Sequence, residues 1–452
     1  MGGLSRRATI IAEVSKEDRI TLDGGNLFWK GGDILAENRA AQLIKADLLA
    51  EDMMQHGLDA WVPGSDDWAL GIETVWGLID AHGLPALAGN LECGGRSFPG
   101  HLRIERGGRS IGVVGVVDTV VSGCTKTDPV AAAQAGVDAL GDVDALIGIF
   151  SGSPELDAQV LRSVEGFDFF FNGHTGQSAI TPREVHGAWF LGAGRKGKKL
   201  WHLQLSWQDS GDGPWSTAHE LDTLKTRLTR FEQRAQEARA DLEEGADPIR
   251  QQRRIEHYER QLEKIRIEIQ SLQENAESNR QFRHELVPLD GAVVDHPETA
   301  GRVSAALLRI EAGLSSDSGA VEALVGGPFT GSQACVGCHP AEAAQWQTTR
   351  HAQAMQTLKD VNRSMDPDCY ACHATGAHHP EGPRLPGQVG ERLADVGCES
   401  CHGPGLAHTI NPVGTMKAAA STASCTTCHD GDKDGGRFDP GTYVPKILHS
   451  AL

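Results

Sequence analysis

The stretch Gly397-Cys398-Glu399-Ser400-Cys401-His402-Gly403-Pro404-Gly405-Leu406-Ala407-His408 decides how this chain is read. It holds two thiols three positions apart, a histidine directly after the second, and a further histidine beyond a Gly-Pro-Gly turn. The Cys-x-x-Cys-His core recurs. Cys335-Val-Gly-Cys338-His339, Cys369-Tyr-Ala-Cys372-His373 and Cys425-Thr-Thr-Cys428-His429 complete a set of four. At this composition the chance expectation is on the order of 0.01 occurrences in the chain, so coincidence is excluded.

Chemistry explains the spacing. Thiols at i and i+3 can add across the two vinyl groups of one haem, and the adjacent histidine reaches the iron as proximal ligand. The chain is therefore expected to carry four c-type haems. They are attached through Cys335 and Cys338, Cys369 and Cys372, Cys398 and Cys401, and Cys425 and Cys428, with His339, His373, His402 and His429 as proximal ligands. Zinc is the competing reading, because two Cys-x-x-Cys knuckles make a tetrahedral site. Zinc does not require a histidine after every pair, and here all four have one. Other candidate iron ligands after position 330 are His351, His378, His379, His408 and His449, with Met355, Met365 and Met416. Histidine outnumbers methionine, which points to a low-potential set. One of His378 and His379 reads as a solvated surface residue, and Met355, one turn after His351, as packing.

These residues resemble a family. Trp346-x4-His351-x2-Ala354, Cys372-His373-Ala-Thr-Gly376, the Gly397–His408 string and the late His449 are similar to the tetrahaem cytochromes that carry electrons from hydroxylamine oxidation. The resemblance covers roughly residues 329–452. It implies that His351, His408 and His449 are distal ligands, that haems stack in close pairs, and that one haem can be five-coordinate. It leaves open which haem His378 or His379 would serve.

Residues 1–207 alternate short apolar runs with helical stretches. Ile111–Val117, Ala145–Phe150 and Phe167–Phe171 read as buried strands, and 37–56, 72–82 and 155–165 as helices, which is an α/β layered domain. Its landmarks, Gly2-Gly3-Leu4-Ser5-Arg6-Arg7, Leu22-Asp23-Gly24-Gly25-Asn26, Gly57-Leu58-Asp59-Ala60, Ala88-Gly89-Asn90-Leu91 and Asn172-Gly173-His174-Thr175, resemble the calcineurin-like metallophosphoesterase domain of periplasmic 5'-nucleotidases. That family holds two metal ions. Here Asn26 stands where the bridging aspartate belongs, Gly64-Ser65-Asp66-Asp67 replaces Asn-His-Glu, Ser151-Gly152 follows the strand where a lone histidine is expected, and Gly176 replaces the last histidine. An amide is a far poorer ligand than a bridging carboxylate. The expectation is a degenerate fold without a divalent metal pair; a compensating site could draw on Asp23, Asp66, Asp67 and His174. Cys93 and Cys124 read as buried small hydrophobes or reduced loop thiols.

Leu221, Leu224, Leu228, Phe231, Ala235, Ala238 and Leu242 repeat at heptad spacing, and so do Ile255, Tyr258, Leu262, Ile265, Ile269, Leu272 and Ala276. The Gly245-Ala-Asp-Pro248 turn between them argues for an antiparallel coiled-coil hairpin, which either packs on itself or makes a homo-oligomer contact. The chain therefore reads as multidomain. Its regions are a metallophosphoesterase-like α/β domain over 1–207, the hairpin over 217–287, a helix and linker over 288–328, and a mostly helical and irregular tetrahaem cytochrome domain over 329–452.

Lysine plus arginine number 42 against 61 aspartates and glutamates, a net charge of −19, which disfavours nucleic acid and suits a basic redox partner protein. No apolar run approaches the ~18 residues that span a bilayer. Haem attachment to these motifs is extracytoplasmic, so a periplasmic location is expected. Met1-Gly-Gly-Leu-Ser-Arg-Arg has no apolar signal core. A late start would explain that, and the missing segment would hold the metal-binding Asp-x-His of the resembled phosphoesterases. The function read from these residues is electron carriage rather than hydrolysis. Alternatives are an open-haem enzyme acting on a small nitrogen or sulfur compound, a residual phosphohydrolase, and a cytochrome that assembles into chains.

Overall fold

The computed structural model of the chain describes residues 3–31, 34–173, 181–192, 197–207, 213–217, 220–243, 248–275, 280–317, 327–384, 386–416, 421–430 and 437–449. The chain forms two compact units, each discontinuous in sequence. The α/β unit is Gly2–Lys30 with Met53–Val294; the cysteine-rich unit is Gly31–Asp52 with Asp295–Leu452, grouped with Met1. The placement of 31–52 beside the C-terminal residues is a grouping that reading along the chain did not contain. Among the described residues no helix is long and apolar enough to cross a membrane.

Helix α1 (Leu4–Ala12) and strand β1 (Thr21–Asp23) open the chain. Helix α2 (Arg39–Gln55), strand β2 (Leu58–Trp61) and helix α3 (Ile72–His82) follow. Then come strands β3 (Leu91–Cys93), β4 (Arg96–Ser97), β5 (His101–Arg106), β6 (Arg109–Val117) and β7 (Cys124–Lys126). Helix α4 (Pro129–Leu140), strand β8 (Ala145–Ser151), helix α5 (Pro154–Ser163) and strand β9 (Phe169–Asn172) alternate. Strands β10 (Arg183–Val185), β11 (Ala188–Phe190), β12 (Lys199–Trp207) and β13 (Ser216–Thr217) lead to the long helices α6 (Glu220–Glu243) and α7 (Pro248–Asn275). Strand β14 (Arg280–Pro288) and helix α8 (Pro297–Asp317) complete this part.

A six-stranded sheet in the order β10-β11-β9-β8-β6-β5 is the centre of the α/β unit. Strands β6, β8, β9 and β11 run parallel, with Val113 opposite Ile147 and Ile149 opposite Phe171. The nearly unbroken apolar run of β6 suits a parallel strand covered on both faces. One face packs Val114, Val116, Phe150 and Phe170 against Ala133 and Leu140 of α4 and Leu156 and Val160 of α5. Asp128 starts α4 by accepting the amides of Val130 and Ala131 at 2.7 and 3.0 Å, with Pro129 in the first turn. The other face packs Ile111, Phe169 and Trp189 against Trp215, directly before β13, and Phe282 of β14 in the β12-β14-β13 sheet. Three layers result. The strands expected at 111–117, 145–150 and 167–171 are β6, β8 and β9, and the helices expected at 37–56, 72–82 and 155–165 are α2, α3 and α5.

Helices α6 and α7 run antiparallel, linked by Arg239–Glu259 at 2.7 Å, Arg254–Asp241 at 3.0 Å and Arg266–Glu232 at 3.1 Å. Their buried apolar residues include Leu224, Ala235, Ala238, Ile255, Leu262 and Ile265.

Cys93 and Cys124 correct the sequence reading: they form a disulfide. Strands β3 and β7 pair antiparallel with these two residues directly opposite and 4.1 Å apart at Cα. Strand register, which local sequence does not show, brings the thiols together.

Candidate functional site

All four Cys-x-x-Cys-His segments lie in the cysteine-rich unit, each on one helical turn. The Cys338 amide donates to the Cys335 carbonyl at 3.2 Å and the His339 amide to the same carbonyl at 2.9 Å. The Cys428 and His429 amides repeat this on Cys425, at 3.2 and 2.9 Å, and Cys372 bonds Cys369 at 3.2 Å. The third segment is the short helix Cys398–His402. A turn of 3.6 residues puts positions i and i+3 on one face, so both thiols of each pair address the same ligand edge.

The histidines sort themselves by ring geometry. His339 faces His408 with centroids 6.2 Å apart, His402 faces His449 at 6.2 Å, and His351 faces His429 at 6.1 Å. Two imidazoles bound to opposite sides of one metal through bonds of about 2 Å have centroids about 6 Å apart. The donor set and its spacing therefore fit a six-coordinate haem iron at three of the four segments. Burial and the neighbouring His429 hold His351 below its usual pKa, keeping the neutral imidazole that binds metals.

The second segment differs. His373 Nδ1 lies 2.7 Å from the Ala354 carbonyl, which leaves Nε2 as its outward nitrogen. Among the described residues no histidine ring packs against His373. Neither His378 nor His379 fills that place. His378 Nε2 sits 3.6 Å from Cys372 Sγ, and His379 packs edge-on to Phe329 and accepts the Glu381 amide at 3.2 Å. Met355 is buried in the core with Phe329, Leu358, Tyr370, Val389 and Leu393, a packing role.

The segments neighbour one another out of sequence order. The Cys335 and Cys398 thiols lie close enough to couple electrostatically, which raises the pKa of the first and lowers that of the second. Cys401 is raised by burial and by the nearby charge of Cys425. Cys372, His378 and Cys428 bring ligand atoms within 4.8 Å of one another. The spatial order is first, third, fourth, second.

Glu399, between the two cysteines of the third segment, is 2% exposed. Its Oε1 accepts the amides of Thr330 at 2.9 Å and Gly405 at 2.7 Å, and its Oε2 accepts Gly331 at 2.7 Å. One carboxylate thus ties the approach to Cys335, the third segment and the start of the helix Leu406–Ile410, which carries His408. Trp346 Nε1 donates to the Val396 carbonyl at 2.9 Å, and the Met355 amide to Asp395 at 2.8 Å, fixing the His351 segment alongside. Nothing in the residue type assigns Glu399 this role; the signal for it in the sequence is a charged residue set between the two cysteines of a Cys-x-x-Cys-His motif.

In the α/β unit the candidate metal ligands are differently engaged. Asp67 is fully buried and accepts four amides: Leu27 and Phe28 on Oδ1 at 2.7 and 2.9 Å, Asn26 and Gly64 on Oδ2 at 2.7 and 2.9 Å. Asn26 adopts φ 54° and accepts the Asp66 amide at 2.8 Å. Asp23 accepts the Gly25 amide at 3.0 Å and has Arg7 at 3.8 Å, while burial raises its pKa. Asn90 closes a pair of bonds with the Val117 backbone at 2.8 and 2.9 Å. His174 lies outside the described residues.

Residues 334–403 match the family described as "Cytochrome c554 and c-prime". Over 120 residues the chain is 36% identical to cytochrome c-554 of Nitrosomonas europaea, a stretch covering 23% of this chain and 48% of that protein. The chain thus spans about half the length of the curated relative it matches. Among solved structures it is similar to the sulfate thiohydrolase SoxB of Thermus thermophilus in complex with glycerol, at 16% identity and TM-score 0.46, over 75% of this chain and 54% of that one. It is also similar to calcineurin-like phosphoesterase YfkN from Bacillus subtilis, at 11% identity and TM-score 0.42, over 68% and 89%. A third is a 5'-nucleotidase precursor from Thermus thermophilus, at 17% identity and TM-score 0.39, over 46% of each chain. The C-terminal region of this chain resembles the cytochrome c554 family, and its N-terminal region is similar to calcineurin-like phosphoesterases and 5'-nucleotidases.

Proposed function

We propose that this chain is an extracytoplasmic c-type cytochrome that carries electrons on four covalently attached haems, with its α/β unit serving as a scaffold that performs no hydrolysis. The observation that carries this reading is the pairing of three proximal histidines, His339, His402 and His429, each with one other histidine at 6.1–6.2 Å. When bound, each haem iron would take up and release one electron at a potential set by its ligands and surroundings. The chain's part is to fix those ligands. His408, His449 and His351 serve the first, third and fourth segments, and Glu399 holds two of these segments in register. In the α/β unit the four amides on Asp67 leave its carboxylate committed to the backbone. The Cys93–Cys124 disulfide supports an oxidising compartment. The acidic net charge of −19 favours a basic redox partner.

Pyridine haemochrome assay with peptide mass spectrometry of the full chain tests the reading. Four haems, one on each Cys-x-x-Cys-His peptide, are expected; zinc in place of iron overturns it. Turnover of a nucleotide monophosphate that depends on added divalent metal would overturn the scaffold role.

The lack of a facing histidine ring at His373 among the described residues favours a second reading, an iron with an open sixth position that acts on a small nitrogen or sulfur compound. A high-spin component in the ferric spectrum that cyanide converts to low spin supports it. A wholly low-spin ferric spectrum removes it.

A further inference from the structure

Helix α2 belongs to the cysteine-rich unit from its start to Asp52, far in sequence from the haem-attachment segments. Its residues lie outside the stretch 334–403 that matches the cytochrome family. Two of its buried residues are charged. Lys45 is 5% exposed and Asp52 1% exposed, seven positions apart and so on one helix face. Asp52 accepts Thr299 Oγ1 at 2.8 Å and pairs with Arg302, both on α8. Lys45 donates to Asp366 and, at 2.6 Å, to Asp368 Oδ2.

Those two aspartates introduce the second attachment segment. Asp366 is 2% exposed and caps the turn Pro367–Tyr370: its side chain accepts the Asp368 amide at 3.0 Å, and its carbonyl accepts the Cys369 amide at 3.0 Å. A buried carboxylate is tolerated where a cation and hydrogen bonds compensate it. The cation here is supplied by α2. Cys369 feels the charges of both Asp366 and Lys45, alongside burial and Arg363.

We propose that Lys45 is a positioning residue for the second haem: by pairing with Asp366 and Asp368 it fixes the Asp366–His373 segment, and its positive charge stabilises the reduced state of that haem. This rests on the cytochrome reading above. It deepens that reading by giving a residue outside the cytochrome-like stretch a part in setting one of four potentials.

Lys45→Met, Lys45→Arg, Asp366→Asn and the double variant Lys45→Met/Asp366→Asn, each in the full chain, test it by redox titration with peptide-resolved haem counting. Lys45→Met is expected to move one of four redox steps to lower potential by about tenfold in the oxidised-to-reduced ratio, about 59 mV, or to lose haem from the 369–373 peptide alone. Lys45→Arg keeps the wild-type value. The double variant, which removes the unpaired buried charge with its partner, recovers most of the shift and of any lost haem. Four unchanged steps with full haem in Lys45→Met overturn the proposal. So does a Lys45→Met defect that the double variant leaves as large, because a mere packing role would not be relieved by neutralising Asp366. Should Lys45→Met not fold, Asp366→Asn decides: one step moved to higher potential supports the proposal, and no movement overturns it. A wild-type 369–373 peptide without haem would instead overturn the cytochrome reading itself, a failure distinguishable from that of Lys45.

Discussion

Asp67 and Glu399 are two carboxylates sunk into two different units by the same means, and they have opposite consequences. Asp67 collects four backbone amides within the α/β unit. Glu399 collects three, between two cysteines of an attachment motif. In the first case both carboxylate oxygens are taken up by one short stretch of backbone, residues 26–28, and Gly64. In the second the carboxylate gathers segments far apart in sequence, at Thr330, Gly331 and Gly405. The lesson is that an acidic residue near a site is informative only once its hydrogen bonds are counted.

The largest expected effect is on Glu399. Glu399→Ala leaves three amides without their acceptor and should cost about 3–5 kcal/mol. It should also free the helix bearing His408, so that chemical denaturation shows the loss and the ferric spectrum gains a high-spin component. Glu399→Gln should cost about half as much. An unchanged spectrum in both would break the comparison.

Cutting the Cys93–Cys124 disulfide comes next. Cys93→Ser with Cys124→Ser opens a loop of 31 residues and should cost about 3 kcal/mol, read as a lower denaturation midpoint of the α/β unit. The haem absorbance should not follow that transition; a shared midpoint would show the two units to unfold as one.

Asp67→Asn is smaller. Its amide group would face two amide donors that now find an oxygen, at about 2 kcal/mol. Metal affinity should not change, and loss of a bound divalent ion on this substitution would restore the metal-site reading.

The smallest effect is on pH dependence. Asp157 accepts Asn172 Nδ2 at 2.6 Å, and burial pushes its carboxyl up to about 7, against the Asn172 bond and the Arg183 charge. Asp67 is likewise raised to about 7, chiefly by burial. A raised folded-state pKa contributes stability below the unfolded value of 3.8 and loses it as pH climbs through about 7. The α/β unit should therefore be less stable at pH 8.5 than at pH 5. Asp157→Asn should remove about 1–2 kcal/mol of that slope, a value discounted for partial exposure. Equal denaturation midpoints at both pH values in the parent chain would refute this.

What the sequence made legible was what is local in it. Each Cys-x-x-Cys-His motif occupies five consecutive positions, and β6, β8 and β9 are largely apolar runs. His351, His408 and His449 stood out as candidates by residue type, but which histidine each faces was not legible, because His429, His339 and His402 lie tens of residues away. The Cys93–Cys124 bond depends on strand register, and Lys45–Asp366 joins residues 321 apart. No periodicity announces either. Asp67 was legible as one of several acids in a candidate cluster, but its four bonds were not, because the groups it binds are backbone amides that every sequence has.

Helix α2 has a consequence for the order of manufacture. In a chain made from its N-terminus, Asp366, with which Lys45 pairs, is added 321 residues after it. Closure of this contact is a long-range, late event. A unit built from residues 31–52 and 295–452 is complete only when both ends of the chain are present.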